Sequence, residues 1–141
     1  RDLTYTTSDL TADEVRSLHG VGVAVVRDTN KTETITVPTG FITDLASTPR
    51  LLWNVIAPFD VARAAIVHDL LYKAIRTYRW GKGAKEEDKE LIKNAKVAAD
   101  KVFLLAMKDA EPKVSGWKIY SAWKAVDLFG RWSIIPNEKN I

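Results

Sequence analysis

The order of apolar and polar positions divides the chain into a short β-rich region and a longer helical region. Two β-branched runs, at 21–27 and 32–37, flank the polar segment at 28–31, whose Asp and Asn favour a hairpin turn. Residues 1–7 alternate loosely between polar and apolar side chains and predict an edge strand. The first forty residues therefore predict a small antiparallel β unit.

Helical periodicity dominates the remainder of the chain. Thr11-x-x-Glu14 is a capping box for a short helix, and Ser47 or Thr48 can cap another that ends before Pro58. Apolar positions repeating every three to four residues predict longer helices at 61–79, 86–108 and 115–129. The second of these carries one apolar stripe, formed by Leu91, Ala95, Ala98, Val102 and Leu105.

The length of 141 residues predicts a single domain with one buried core. Its parts are a β-hairpin region at 1–40, a helical core at 41–130 and a tail at 131–141. The predicted fold class is α+β, mainly α: a small N-terminal antiparallel β unit, then an antiparallel helix pair and a third C-terminal helix.

Composition narrows the classes of function. The chain has no cysteine, which excludes disulfides, thiolate metal sites and cysteine nucleophiles. The net charge of +3 favours anionic partners only weakly, because 21 basic and 18 acidic residues nearly cancel. No apolar run reaches the length of a membrane span, and the N-terminal residues lack the plan of a signal peptide, so neither is expected.

The candidate chemistry lies at His68-Asp69, inside the first long helix. His68 and Tyr72 are four residues apart and share one helical face, while Asp69 projects about 100° away. An antiparallel second helix would bring Asp100 back toward His68. A carboxylate bonded to one imidazole nitrogen leaves the other free to take a proton from water, which predicts a general base. The simpler alternative is a buried histidine whose hydrogen bond only satisfies the core.

A hard cation such as calcium prefers oxygen ligands, and Asp69 and Asp44 could supply them together with loop carbonyls at 43–46. Such a cation would polarise a carbonyl and stabilise an oxyanion. Asp44 and Ser47 could instead be an ordinary turn residue and a helix cap.

These motifs resemble known families. The H-D-x-x-Y sequence at 68–72, followed by A-D-x-x-F at 99–103, is similar to the core of the phospholipase A(2) superfamily, especially its bacterial and fungal branch. The segments VPTGFITDLASTPR, AAIVHDLLY and ADKVFLLAM look still more like an uncharacterised family common in tailed bacteriophages and prophages. That second resemblance covers roughly residues 37–130.

The phospholipase resemblance implies His68 as general base, Asp100 as its partner and Tyr72 as a hydrogen-bonding support. It also implies Asp69 and Asp44 as ligands of calcium. The chain lacks the disulfides and the glycine-rich calcium loop of those enzymes.

The resemblances together imply a phage protein that hydrolyses lipid esters at a membrane during entry or lysis. The alternative is a virion structural or accessory protein that keeps the helix pair as a scaffold. Anionic membrane lipid and other virion proteins are the expected partners, nucleic acid is not, and the oligomeric state stays open. The expected location is the phage virion or the cytoplasm of the bacterial host.

Three other patterns have simpler interpretations. An H…HD…D phosphohydrolase would need His19, but His19 precedes the strands whereas that class builds its ligands on helices. The basic and aromatic segment 73–85 could bind anionic lipid headgroups or nucleic acid, although a solvated helix end with a loop aromatic is the commoner explanation. The tryptophans at 117, 123 and 132 are expected in the core or in a subunit interface.

Overall fold

The computed structural model describes residues 3–27, 32–38, 40–41, 59–82, 88–109 and 116–136. These ranges confirm the predicted α+β, mainly α class. The elements, in chain order, are β1 (Leu3–Thr7), α1 (Ala12–Gly20), β2 (Val25–Arg27), β3 (Glu33–Val37), α2 (Phe59–Lys82), α3 (Lys89–Lys108) and α4 (Gly116–Ser133). No helix within the described ranges is both long and apolar enough to cross a bilayer.

The sheet has the strand order β1-β3-β2, and both pairings are antiparallel. Leu3 faces Val37 and Val25 faces Ile35, so the chain's first strand lies at one edge, as its alternation predicts. Alternation along β3 buries Glu33, Ile35 and Val37 on one face of the sheet. The predicted antiparallel β unit is confirmed, with β1 as its predicted edge strand.

The strand after α1 begins later than the sequence predicts. The capping box is confirmed, since the Thr11 side chain accepts from the Glu14 amide and the Glu14 side chain accepts from the Thr11 amide. The strand expected at 21–27 begins only at Val25, because the preceding residues close the end of α1. Gly22 adopts a positive φ of 92° there, which glycine tolerates without strain.

The helix pair α2 and α3 is antiparallel. Tyr78, late in α2, donates to Asp88 at the start of α3, while His68, earlier in α2, meets Asp100 further along α3. The helix α2 continues through Gly81 to Lys82 rather than ending near residue 79. A single glycine costs a helix only about 1 kcal/mol and does not break it. The short helix predicted after Ser47 lies outside the described residues.

The buried face of α3 is wider than the single apolar stripe that the sequence predicts, because α3 packs against α1, α2 and α4. Leu91 and Leu105 are only partly buried. Residues on either side of the stripe, such as Ile92 and Phe103, are buried instead. Two clusters of buried apolar side chains result, one between the sheet, α1, α2 and α3, and a second between α2, α3 and α4.

The helix α4 is confirmed, but its tryptophans are not all in the core. Trp117 is 67% exposed, whereas Trp123 packs partly buried against the second cluster. The side chain of Trp132 lies outside the described part of the structure. A subunit interface at Trp117 stays a prediction.

Candidate active site between α2 and α3

The structure brings His68 of α2 and Asp100 of α3 together. Nε2 of His68 lies 2.9 Å from Oδ1 of Asp100, and both residues are buried. The antiparallel packing of two amphipathic helices produces this contact between residues 32 positions apart in sequence. The pair that the spacing permitted is therefore present.

Two further donors bind the same carboxylate. The hydroxyl of Tyr72 donates to Oδ1 of Asp100 at 2.6 Å, and the ammonium of Lys96 donates to Oδ2 at 2.7 Å. Lys96 also lies 3.4 Å from the carbonyl of Val126 and 3.2 Å from that of Asp127, both on α4. All three of its protons thus have acceptors, and the Lys96 ammonium links the Asp100 carboxylate to α4.

These contacts determine the charge of Asp100. Burial raises the pKa of the Asp100 carboxyl, but hydrogen bonds from His68, Lys96 and Tyr72 outweigh burial and lower it below its ordinary value. Burial and the adjacent Asp100 charge raise the pKa of the Tyr72 hydroxyl, so Tyr72 remains a neutral donor. The cluster therefore contains an ionised acid held by three donors.

The ionised acid also determines the tautomer of His68. A carboxylate only accepts, so the hydrogen of the neutral ring stands on Nε2. Nδ1 then carries the free lone pair, and it has no hydrogen-bond partner among the described residues. This is the arrangement in which an imidazole can take a proton from water.

Aromatic rings enclose much of the His68 ring. The Tyr72 ring centroid is 4.1 Å away and the Phe103 centroid 4.9 Å away, and 11% of the His68 side chain remains exposed. Contact with apolar rings fixes the orientation of the imidazole, and the exposed fraction is small.

Asp69, the next residue of α2, belongs to a different contact. Its Oδ1 lies 3.8 Å from Nη2 of Arg76, whose side chain is almost completely buried two turns later on the same helix. A buried carboxylate beside a guanidinium is largely compensated in charge. Asp69 is thus near His68 in sequence but paired with another group.

The described residues do not complete a calcium site. Calcium takes six to eight oxygen ligands, and Asp69 offers one carboxylate that already faces Arg76. Among the described residues, no group of three or more acidic or histidine side chains could hold a metal. Asp44 and the loop carbonyls at 43–46 lie outside the described residues, so the predicted calcium set stays a prediction.

Sequence reasoning missed Lys96 and Arg76, the two buried cations of this region. A lysine or arginine in an amphipathic helix is usually assigned to the solvent face. The available signal was spacing: Lys96 precedes Asp100 by four residues, and Arg76 follows Asp69 by seven, so each shares a face with its acid.

The other candidates do not join this cluster. His19 lies on α1, and its Nε2 binds the carbonyl of Val25, so it is not beside His68 as an H…HD…D metal set requires. In the basic segment 73–85, Arg79 donates to the carbonyl of Ile134 and Arg76 is buried. Within the described part of that segment, these two arginines are therefore directed into the protein.

The chain belongs to the DUF1353 family, described as a protein of unknown function. The family model matches residues 21–126, well over half of the chain, and includes His68, Asp69, Tyr72, Lys96 and Asp100. Membership agrees with the expected likeness to an uncharacterised family. Comparisons with curated proteins and with solved structures gave no match.

Proposed function

We propose that the protein is a hydrolase that uses His68 as a general base to cleave a carboxylic ester. The observation that carries the proposal is the 2.9 Å contact between His68 Nε2 and Asp100, which leaves Nδ1 as the basic nitrogen. The motif resemblance to phospholipases A(2) suggests a lipid ester as the substrate class.

In the proposed reaction, Nδ1 of His68 takes a proton from water as the water oxygen attacks the ester carbonyl carbon. The resulting tetrahedral intermediate collapses with cleavage of the bond to the alcohol oxygen. The imidazolium returns its proton to that leaving oxygen, so an ester and water become an acid and an alcohol. General-base assistance of this kind contributes about 10²- to 10⁴-fold in rate.

Asp100 is the positioning residue of this mechanism. It fixes the imidazole tautomer, and Tyr72 and Lys96 hold its carboxylate in place through their own hydrogen bonds. Its negative charge also stabilises the positive charge that develops on the imidazole ring.

Calcium is the proposed cofactor, with Asp69 and Asp44 as ligands. When bound, it would polarise the ester carbonyl and stabilise the oxyanion. We propose a phage setting, with action on the host membrane during entry or lysis, on the strength of the motif resemblance alone.

The test is release of fatty acid from anionic vesicles in calcium and in excess chelator. We expect calcium-dependent release by the wild-type protein and a loss of about 10²-fold or more in His68→Ala. His19→Ala is the matched control, since it removes the other histidine of the chain, and it should retain the wild-type rate. Equal release by wild type and His68→Ala, or release unaffected by chelator, would contradict the proposal.

A second candidate is a phage virion or accessory protein in which the cluster is architectural. Two observations favour this architectural role. Lys96 already neutralises the Asp100 carboxylate through a salt bridge, and the His68 side chain is only 11% exposed. Under this alternative, His68→Gln lowers the unfolding midpoint while wild type releases no fatty acid from any vesicle. Calcium-dependent release of fatty acid by the wild-type protein would exclude this second candidate.

A further inference from the structure

An open groove of about 330 Å³ lies between α1 and the part of the sheet formed by β2 and the start of β3. Its apolar lining consists of Ala12 and Val15 of α1 and Val25 of β2, and its charged lining includes Arg16, Arg27 and Glu33. We call it the α1 groove. Its volume is at the lower end of the roughly 300–1,000 Å³ that ligand sites occupy, which favours a small molecule.

The Glu33 carboxylate in the lining of the α1 groove is only half paired. Its side chain is 2% exposed, and Oε1 accepts from Nε of Arg27 at 2.9 Å. Oε2 has no hydrogen-bond partner in the described part of the chain. A buried polar atom without a partner is rare in native proteins, so this oxygen needs an explanation. A donor bound in the α1 groove would supply the partner.

The donor has to reach an oxygen that is shielded from solvent as the side chain stands. The terminal torsion of a glutamate side chain is broad, so a rotation of the carboxylate can turn Oε2 toward the groove that Glu33 lines. Hydrogen bonds between a carboxylate and a charged donor are about twice as strong as neutral ones. An ammonium group is therefore favoured over a hydroxyl as the donor.

Two guanidinium groups on the exposed side of the α1 groove favour an anionic group as well. The Arg16 side chain is 77% exposed and that of Arg27 is 59% exposed. Among the described residues, Arg16 binds only Asp13 and Arg27 binds only Glu33, so each guanidinium keeps N–H donors for another acceptor. The planar fork of these donors matches a carboxylate.

The two kinds of charge lie side by side, since the Arg27 and Glu33 side chains are in direct contact. An α-amino acid carries its ammonium and its carboxylate on one carbon and so matches such a pair. We propose that the α1 groove binds a free α-amino acid with an apolar side chain. The ammonium donates to Oε2 of Glu33, the carboxylate accepts from Arg16 and Arg27, and the side chain packs on the apolar lining.

The experiment is an NMR titration of the backbone amides of the full chain with L-leucine. We expect shifts confined to α1, β2 and the start of β3. Isocaproate lacks the ammonium and L-leucinamide lacks the carboxylate, so each should bind about tenfold or more weakly. Equal binding by either analogue would overturn the proposal, because one of the two charges would then not be recognised.

Variants test the lining directly. Glu33→Gln keeps the shape but removes the charge, and it should weaken L-leucine binding about tenfold or more. Arg16→Met should weaken it about threefold or more. The matched controls are Glu90→Gln and Arg63→Met, which change exposed residues on other helices and should bind as the wild type does. Ala12→Phe should abolish binding by filling the groove, and its amide spectrum reports that it folds.

Three further outcomes would overturn the proposal. They are no shift of the wild type with L-leucine, which leaves only water in the α1 groove, shifts centred elsewhere, or undiminished binding by Glu33→Gln and Ala12→Phe. Failure of the hydrolase proposal is separate, because the α1 groove does not include the His68 cluster. His68→Ala should bind L-leucine as the wild type does whether or not esters are cleaved.

Discussion

Two buried carboxylates, Asp100 between the helices and Glu33 in the sheet, have opposite surroundings. Asp100 is 2% exposed and receives hydrogen bonds from His68, Tyr72 and Lys96, so both of its oxygens have partners. Glu33 is 1% exposed, and among the described residues only Arg27 binds its side chain, through Oε1 at 2.9 Å. Its Oε2 has no hydrogen-bond partner in the described structure.

The contrast shows that burial alone does not identify a carboxylate that positions another group. Leaving a buried oxygen unpaired costs about 1–3 kcal/mol, so Glu33 is a local cost to the sheet. The Asp100 carboxylate is instead held in one orientation by donors from both helices, which is what positioning an imidazole requires. The following variants test whether the two acids differ in this way.

The largest expected effect is that of Asp100→Asn. Removing the charge leaves Lys96 buried without its counterion, so we expect a loss of about 3–5 kcal/mol in the free energy of unfolding. Urea denaturation followed by circular dichroism measures it. A loss below about 1 kcal/mol would mean that the cluster is not the tightly bonded network described.

Acid should remove much of the same stabilisation. The pKa of Asp100 is lowered by folding, so its contribution is complete above the unfolded value of about 3.9 and is lost as the pH falls through the lower folded value. Unfolding free energies measured from pH 6 downward should therefore converge for wild type and Asp100→Asn below about pH 4. A constant gap between the two curves would contradict the lowered pKa.

Lys96→Met should have a smaller effect, about 2–3 kcal/mol, because His68 and Tyr72 still bind Asp100 after the cation is removed. The control is Lys101→Met. Lys101 also forms a 2.7 Å salt bridge, with Glu14, but its side chain is 32% exposed, so we expect at most about 1 kcal/mol. Equal losses in urea denaturation would show that the burial of Lys96 adds nothing.

Glu33→Gln should have the smallest effect, within about 1 kcal/mol of wild type. The substitution removes a buried charge that has a single partner, and that partner, Arg27, is 59% exposed at its side chain. The unfolding midpoint in urea measures it. A loss comparable with that of Asp100→Asn would mean that the sheet acid is as firmly bonded as the helical one.

Local patterns were sufficient for most of the fold. Loose alternation predicted β1, a β-branched run predicted β3, and the Thr11 capping box predicted the start of α1. Helical periodicity with the separation of 32 residues predicted the meeting of His68 and Asp100. These features depend on side chains close in sequence or on one regular packing rule, which is why they can be read from one chain.

Other features depend on tertiary contacts that no local pattern reports. Lys96 is buried only because Asp100 and the carbonyls of α4 surround its ammonium. The hydrophobic run from Val21 is split because Gly22 ends α1, which alternation alone does not reveal. Trp117 is expected in the core or in a subunit interface by residue type, and its position on α4 turns it to solvent rather than into the core.

The bond between His19 and Val25 has a consequence for aggregation. The strand β2 is an edge strand of only three residues, and an open edge can recruit strands from other molecules. His19 Nε2 donates to the Val25 carbonyl at 2.8 Å, since a carbonyl only accepts. That backbone acceptor therefore already has a donor within the chain and is not free to pair with a strand of another molecule.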